Sequence, residues 1–227
     1  MNIQSITRPH DFINVSADFI LKICRGNGKK TPVNIALSGG STPKEIYQSL
    51  AKKLSFMPFA NPLHFYQVDE RYVPASNEDS NQKMITEAFS ILESSQNPST
   101  KNIHFHFFDT TLPIEKSIKE YTKELPKTFD LAILGIGPDG HTASLFPNSK
   151  ELTSKAKVAH TTTKDFAVKD RLTLTFQTIL KAKNLLVLLK NKPEIIAELE
   201  KPTKSAKEFP AHKLLSHKKL TLLNLPS

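Results

Sequence analysis

Apolar residues recur at helical spacing in several stretches of the chain. After Pro9, they lie three or four positions apart from Phe12 to Ile23, which predicts an amphipathic helix. A second helix is predicted to begin at Pro43, because proline is tolerated in the first turn, where its missing N–H would be unpaired. The same spacing predicts further helices around 84–92, 114–125 and 194–199.

Short apolar runs lie between these helical stretches and predict strands. The runs are 33–37, 63–68, 103–107, 129–134, 172–176, 185–189 and 220–223. Strands that alternate with helices are typical of βαβ units, so we expect an α/β fold with three layers and a mostly parallel sheet. No internal repeat or low-complexity linker interrupts the pattern, and residues 1–227 are predicted to form a single domain.

Three distinctive loops follow predicted strands, at 38–43, 69–74 and 135–141. In parallel sheets, ligands bind beyond the carboxyl ends of the strands, where the strand order reverses. We therefore expect the three loops to meet in one cleft.

The first loop, Ser-Gly-Gly-Ser-Thr-Pro at 38–43, joins a predicted strand to a predicted helix. Gly39 and Gly40 permit close approach of a ligand to the backbone, and N–H groups at a helix N-terminus bind phosphate well. Ser41 and Thr42 add hydroxyl donors. Serine and threonine are also common in an N-capped turn, and this alternative uses the same residues without a ligand.

The second loop begins with Asp69, Glu70 and Arg71. An acid beside a guanidinium at a strand end can orient a substrate and stabilise negative charge. A local ion pair without a ligand is the alternative.

The third loop carries Gly135, Gly137 and Gly140 in a G-x-G-x-x-G pattern after a strand. A nicotinamide dinucleotide site would need an acid about 20 residues further on, and 153–164 contains neither Asp nor Glu. The loop is instead predicted to present Asp139 and His141 to the cleft. The unperturbed pKa of histidine suits a general base near neutral pH.

The chain carries 31 Lys+Arg against 22 Asp+Glu, a formal net charge of +9 over 227 residues. The lysines are scattered rather than concentrated on one element, which argues against a nucleic-acid partner. A small anionic substrate needs only a few of these charges in one pocket.

Cysteine and histidine usage limits the possible sites further. Cys24 is the single cysteine, which excludes an intrachain disulfide framework and a Cys-based zinc site. His104 and His106 share a strand face, but no third ligand has a helpful spacing, so a structural role is favoured over a metal pair. No apolar stretch approaches a membrane span, and the N-terminus does not resemble a secretory signal, so we expect a cytoplasmic protein without a membrane partner.

Together these loops resemble the 6-phosphogluconolactonase family, in a superfamily that also holds glucosamine-6-phosphate deaminase and ribose-5-phosphate isomerase. The resemblance rests on 37–43, 69–74 with 80–81, 135–147 and 171–175, and spans the chain from about Val33 to its end. The related deaminases carry Asn-Glu-Pro after their Asp-Gly-His, where this chain has Ser-Leu-Phe-Pro at 144–147, and they usually lack the equivalent of Arg71. Both differences favour the lactonase.

The resemblance implies a Rossmann-like sheet with helices on both faces and a reaction that needs no metal or cofactor. We expect a monomer. The reaction implied is hydrolysis of 6-phosphoglucono-δ-lactone to 6-phosphogluconate, the second step of the oxidative pentose phosphate pathway. His141 would accept a proton from the attacking water, Asp139 would orient the imidazole or the water, and Arg71 would stabilise the developing oxyanion.

The resemblance also implies a binding site for the phosphorylated sugar lactone. The residues that would hold it are Gly39, Gly40, Ser41, Thr42, Asp69, Arg171 and Lys192. The family often has glycine two or three residues before the lysine equated with Lys192, and this chain does not, so Lys190 is an alternative.

Two other functions are weighed against lactone hydrolysis. Deamination and isomerisation of glucosamine 6-phosphate would need a further acid near the histidine loop, and 142–150 contains none. A non-enzymatic sugar-phosphate sensor would normally add a helix-turn-helix segment. Only about 32 residues precede the first predicted strand, which begins at Val33, so a sensor is less favoured.

Overall fold

The computed structural model describes residues 2–26 and 31–226. The strands within these ranges are β1 (Asn2–Ser5), β2 (Val33–Leu37), β3 (Leu63–Gln67), β4 (Asp69–Arg71), β5 (Ile103–His106), β6 (Leu131–Leu134), β7 (Val158–Thr162), β8 (Asp170–Leu174), β9 (Leu185–Lys190) and β10 (Leu220–Leu225). The α-helices are α1 (Pro9–Cys24), α2 (Ser41–Phe56), α3 (Asn81–Phe89), α4 (Ile114–Glu124), α5 (Phe176–Ile179) and α6 (Pro193–Glu200). Among the helices described, none combines the length and the hydrophobicity that a bilayer crossing requires.

Seven strands form one sheet in the order β1-β10-β9-β6-β2-β3-β5, and all neighbours pair in parallel. From β2 the chain passes through β3 to β5 at one edge and then returns to place β6 on the other side of β2. The strand order therefore reverses between β2 and β6, where the loops that follow these two strands are neighbours.

Hydrophobic cores lie on both faces of this sheet. Successive side chains of a strand point to opposite faces, so Ile35 packs in the core with Ile20 of α1 and Leu50 of α2. The next residue, Ala36, belongs to the other core, with Tyr121 of α4. Helices cover both faces, and the expected three-layer α/β fold with a mostly parallel sheet is confirmed.

A second, antiparallel sheet of three strands, in the order β4-β8-β7, was not predicted. The residues 69–74 were expected to form a loop, but Asp69–Arg71 pairs with β8. Val68 joins the two sheets, since its N–H donates to the carbonyl of Leu37 (2.9 Å) and its carbonyl accepts from the N–H of Leu174 (2.8 Å). The second sheet therefore continues from the carboxyl end of β3.

Several boundaries also differ from the expectation; residues 175–176, predicted to end a strand, lie outside β8, and Phe176 begins α5. The first strand is β1 rather than the predicted strand at Val33, and it pairs with β10 at the sheet edge. Helix α2 begins at Ser41, two residues before the predicted start at Pro43. Pro43 is still in the first turn, where backbone N–H groups have no intrahelical acceptor, so the earlier start costs no hydrogen bond.

The buried carboxylate of Glu70 ties β4 to the start of α3. Its two oxygens accept five hydrogen bonds of 2.6–3.1 Å, from the backbone N–H groups of Arg71, Asn81 and Gln82 and from the side chains of Gln67 and Ser80. Burial raises the pKa of Glu70, and these hydrogen bonds offset only part of that rise. Glu70 thus has a structural role, which fixes the backbone on either side of it.

Replacing this carboxylate should destabilise the whole fold. We expect Glu70→Ala to lower the free energy of unfolding by about 3 kcal/mol or more, because it leaves several buried donors without an acceptor. Glu78→Ala is the matched control, since the Glu78 side chain is 89% exposed and pairs with Lys83 at the surface. Urea unfolding followed by circular dichroism measures both, and equal losses would contradict this role for Glu70.

Candidate active site

A cleft of about 240 Å³ opens at the carboxyl ends of the central strands, where the strand order reverses. Nine of the ten predicted site residues line it: Gly39, Gly40, Ser41, Thr42, Asp69, Arg71, His141, Arg171 and Lys192. The tenth, Asp139, contacts the ring of His141. The three loops singled out in the sequence therefore meet in one place, as expected.

The first loop leaves the N-terminus of α2 open to the cleft. Gly40 has φ of +106° and stands at the N-cap, where it has no side chain to form a capping hydrogen bond. Ser41 and Thr42 form the start of the helix rather than a cap, and the first turn contains no acid. Uncapped N–H groups and the positive end of the helix dipole favour a bound anion.

Gly39 is required by the close approach of α3. A Cβ at this position would lie 1.7 Å from Oδ1 of Asn81. Asn81 lines the cleft; it belongs to the stretch 80–81 of the family resemblance but was not predicted as a site residue. Its Oδ1 is buried and has no hydrogen-bond partner within the described chain. The position of Asn81 directly after the N-cap serine of α3 is the signal that could have indicated it.

His141 and Asp139 form a hydrogen-bonded pair. Nδ1 of His141 lies 2.5 Å from Oδ1 of Asp139, and the same oxygen accepts from the backbone N–H of His141 (3.2 Å). Burial raises the pKa of Asp139, but the hydrogen bonds and charge of His141 outweigh it and bring the pKa below its usual value. An ionised carboxylate only accepts hydrogen bonds, so Nδ1 of His141 donates to Asp139. In the neutral imidazole this leaves the lone pair of Nε2 for the cleft.

Glycine at 137 in the third loop makes room for this histidine. A Cβ on Gly137 would lie 2.1 Å from the imidazole of His141, and the N–H of Gly137 donates to the His141 carbonyl (2.9 Å). Gly140 has φ of +82°, and a Cβ there would lie 2.3 Å from the ring of Phe209. Two of the three glycines in the G-x-G-x-x-G pattern, Gly137 and Gly140, are thus explained by contacts within the protein, whereas Gly135 has no such steric requirement.

Arg71 and Arg171 lie directly opposite each other on the paired strands β4 and β8. Like charges in this arrangement repel. Neither guanidinium forms a salt bridge with any carboxylate in 2–26 or 31–226; Arg71 Nη1 donates to the Asp79 carbonyl (2.6 Å) and Arg171 Nε to the Val168 carbonyl (2.9 Å). Burial, and then the charge of Arg71, lowers the pKa of Arg171. Two unpaired cations beside a cleft are typical of an anion site.

Asp69 is held in place from two sides. Oδ2 of its buried carboxylate accepts from the hydroxyl of Ser144 (2.6 Å), and its backbone carbonyl accepts from Nδ2 of Asn81 (2.9 Å). Ala143, which lines the cleft before Ser144, has φ of +52°, a left-handed conformation that is unfavourable for alanine. This backbone conformation directs Ser144 across the site, and no sequence signal indicated the contact.

The two candidate lysines differ in their surroundings, although both line the cleft. Lys192 Nζ donates to the backbone carbonyl of Ile136 in the third loop, and burial lowers the pKa of Lys192. Lys190 is more exposed and lies 3.9 Å from a carboxylate oxygen of Glu45. The geometry therefore favours Lys192 as the cation left for a ligand.

The histidines on β5 lie outside the cleft lining. His106 contacts His64 (Nε2 to Nδ1, 2.9 Å) and Glu124 (Nδ1 to Oε2, 2.8 Å), and its ring stacks on Tyr66. The ring of His104 packs against His64. Within the described ranges, no group of three or more metal-ligating side chains has an arrangement that could hold an ion.

The steric requirement for glycine beside the His141 ring can be tested with two alanine substitutions. Gly137→Ala should displace the imidazole and break its hydrogen bond to Asp139, because the new Cβ occupies the position of the ring. Gly135→Ala is the matched control, since a Cβ there meets no atom within 4 Å. Crystal structures of the two variants measure the ring position, and an undisplaced imidazole in Gly137→Ala would refute the steric argument.

Comparisons with known proteins identify the family to which the chain belongs. The family described as glucosamine-6-phosphate isomerases/6-phosphogluconolactonase matches residues 8–222. A probable 6-phosphogluconolactonase of Dictyostelium discoideum is 36% identical over 193 residues, covering 80% of this chain and 79% of that protein. The 6-phosphogluconolactonase of Thermotoga maritima is 37% identical over 181 residues, covering 77% and 78%.

Solved structures give the same result at the level of the fold. The crystal structure of the Thermotoga maritima 6-phosphogluconolactonase matches with a TM-score of 0.82 and 30% identity, covering 100% of this chain and 99% of that one. A monomeric glucosamine-6-phosphate deaminase matches with a TM-score of 0.82 at 20% identity, which shows a shared fold. The chain belongs to the glucosamine-6-phosphate isomerase/6-phosphogluconolactonase family.

Proposed function

We propose that this protein hydrolyses 6-phosphoglucono-δ-lactone to 6-phosphogluconate, as in the oxidative pentose phosphate pathway. One observation carries the proposal: a single cleft brings the His141–Asp139 pair together with the unpaired guanidiniums of Arg71 and Arg171. A general base and an anion site are the two parts that hydrolysis of a phosphorylated ester requires. The relatives named 6-phosphogluconolactonase support the same substrate.

The His141–Asp139 pair suits the activation of water. Nε2 of His141 accepts a proton as the water oxygen attacks the lactone carbonyl carbon, and Asp139 stabilises the imidazolium that forms. The tetrahedral intermediate then collapses with cleavage of the ring C–O bond. The imidazolium returns its proton to the departing ring oxygen, which becomes a hydroxyl of the product, and His141 is neutral again.

The cations of the cleft divide between two negative charges. Arg71 stabilises the oxyanion that develops on the carbonyl oxygen, an effect that is large where water is excluded. Arg171, Lys192 and the N-terminus of α2 hold the phosphate, which positions the ring without touching the reacting carbon. Asp69, fixed by Ser144, accepts a hydrogen bond from a sugar hydroxyl. Each role is assigned to a group of this chain, so the mechanism requires no metal or cofactor.

Removing the base should abolish most of the rate. We expect His141→Ala to lower kcat/KM by about 10²- to 10⁴-fold, the usual contribution of general base catalysis. His10→Ala, an exposed histidine in α1, is the control and should match the wild type. The measurement is lactone disappearance, corrected for spontaneous ring opening without enzyme.

The outcomes of this assay separate the alternatives. Near-normal turnover by His141→Ala would reject His141 as the base. A wild-type protein that does not exceed the spontaneous rate would overturn the proposed function. Ammonia release from glucosamine 6-phosphate would then favour the deaminase, whereas stoichiometric sugar-phosphate binding without turnover would favour a sensor.

The two arginines should have different kinetic effects. Arg71→Ala is expected to lower kcat by about 10²- to 10³-fold with a smaller change in KM, because an oxyanion forms only in the transition state. Arg171→Ala is expected to raise KM by about 10- to 100-fold, the cost of one charged hydrogen-bonding partner of the phosphate. Steady-state kinetics measure kcat and KM for both variants, and identical changes in the two variants would contradict the separate roles.

A further inference from the structure

Phe166 is an aromatic residue whose position the proposed mechanism leaves unexplained. It lies between β7 and β8, and 36% of its surface is exposed to solvent. Exposed single phenylalanines are common on protein surfaces and need no explanation by themselves. This ring, however, contacts two of the groups to which a role in the cleft has been assigned.

The first contact is with the general base. The ring of Phe166 meets the imidazole of His141 edge to face, with centroids 5.5 Å apart and planes at 79°. Phe146 packs against the same imidazole at 5.0 Å and against Phe166 at 5.8 Å. His141 therefore has two aromatic neighbours, and Asp139 holds its Nδ1 edge. These contacts together restrict rotation of the imidazole.

The second contact is with the anion site. The guanidinium carbon of Arg171 lies 5.5 Å from the centroid of the Phe166 ring. The segment that carries Phe166 is also tied to Arg171, since Arg171 Nε donates to the Val168 carbonyl (2.9 Å). The base of the segment is closed by the N–H of Thr163, which donates to the carbonyl of Lys169 (3.0 Å). One face and one edge of the guanidinium are thus occupied.

The remaining edge of this guanidinium is available to a ligand. Within the described chain, Nη1 and Nη2 of Arg171 have no hydrogen-bond partner, and Arg171 lines the cleft. A guanidinium held by its face and its Nε presents its two terminal nitrogens in a fixed direction. Paired terminal nitrogens match two oxygens of a phosphate.

We propose that Phe166 is a positioning residue that fixes the imidazole of His141 and the guanidinium of Arg171 relative to each other. The distance between the base and the phosphate anchor decides where the lactone carbonyl lies. A ring that contacts both His141 and Arg171 therefore sets the position of the bound substrate. The catalytic part of this inference rests on the proposed lactonase function. The part that concerns Arg171 and anion binding does not.

Three substitutions of Phe166 distinguish its contact with His141 from its contact with Arg171. Phe166→Ala removes both, and we expect kcat to fall about tenfold and KM to rise about three- to tenfold. Phe166→Leu keeps an apolar neighbour for His141 but has no aromatic face for Arg171, so KM should rise as in the alanine variant while kcat stays within about twofold of the wild type. Phe166→Tyr keeps the ring and should restore both values.

Phe56→Ala is the matched control, because Phe56 is a phenylalanine with 77% of its surface exposed at the end of α2. Phe166 is partly exposed on a connection between strands, so its variants should unfold within a few degrees of the wild type. Normal melting with altered kcat and KM would separate positioning from a general loss of structure. Kinetics of all three Phe166 variants equal to those of Phe56→Ala would overturn the proposal.

A fluorescence measurement tests the anion site without turnover. The chain has no tryptophan, so Phe166→Trp introduces a single indole beside Arg171, which can be excited separately from the tyrosines. Titration with inorganic phosphate and with 6-phosphogluconate should change its emission saturably, and adding Arg171→Ala should remove the response.

The two assays distinguish failure of the inference from failure of the proposed function. A saturable response in a protein that hydrolyses no lactone would support the Phe166–Arg171 contact and reject the lactonase. If the wild type hydrolyses the lactone but the fluorescence of Phe166→Trp does not change, or still changes without Arg171, the Phe166–Arg171 contact is rejected. The proposed lactonase function is then unaffected.

Discussion

The imidazole of His141 occupies the space that a side chain on residue 137 would need, so the proposed chemistry depends on glycine at this position. Glycine at 137 lets the ring lie against its own loop, where Asp139 holds one edge and Phe146 and Phe166 pack around it. A general base contributes only when its lone pair points at the reacting proton. The loop therefore supplies orientation before any substrate binds.

Hydrophobic spacing predicted the central strands and the longer helices because these elements bury their apolar residues in the two cores. It missed β1, β4 and β7, which are short and largely polar. The strand Asp69–Arg71 has no apolar residue at all. It is held by backbone pairing with β8 and by the carboxylate of Glu70. Neither interaction produces a periodic pattern of apolar residues in the sequence.

The parts of the site that lie within a single loop could be predicted from the sequence. Gly39, Gly40, Asp139 and His141 lie in loops whose composition singles them out, and the strand order brings those loops together. The contacts that organise the site are long-range: Ser144 reaches Asp69 across 75 positions, and Arg171 faces Arg71 across two strands, one of which was not predicted. Such pairs depend on strand register, which one sequence does not reveal.

The distribution of charge explains how a basic chain can select a small anion. Surface lysines such as Lys44, Lys83 and Lys183 pair with nearby carboxylates, so their charge is partly neutralised. Arg71, Arg171 and Lys192 instead donate to backbone carbonyls, which supply hydrogen bonds without a counter-charge. Keeping partly buried cations unpaired costs stability, and an anion that binds only the folded protein offsets that cost. The proposed affinity of the cleft for phosphate and the destabilisation of the ligand-free protein would then have the same cause, the unpaired cations.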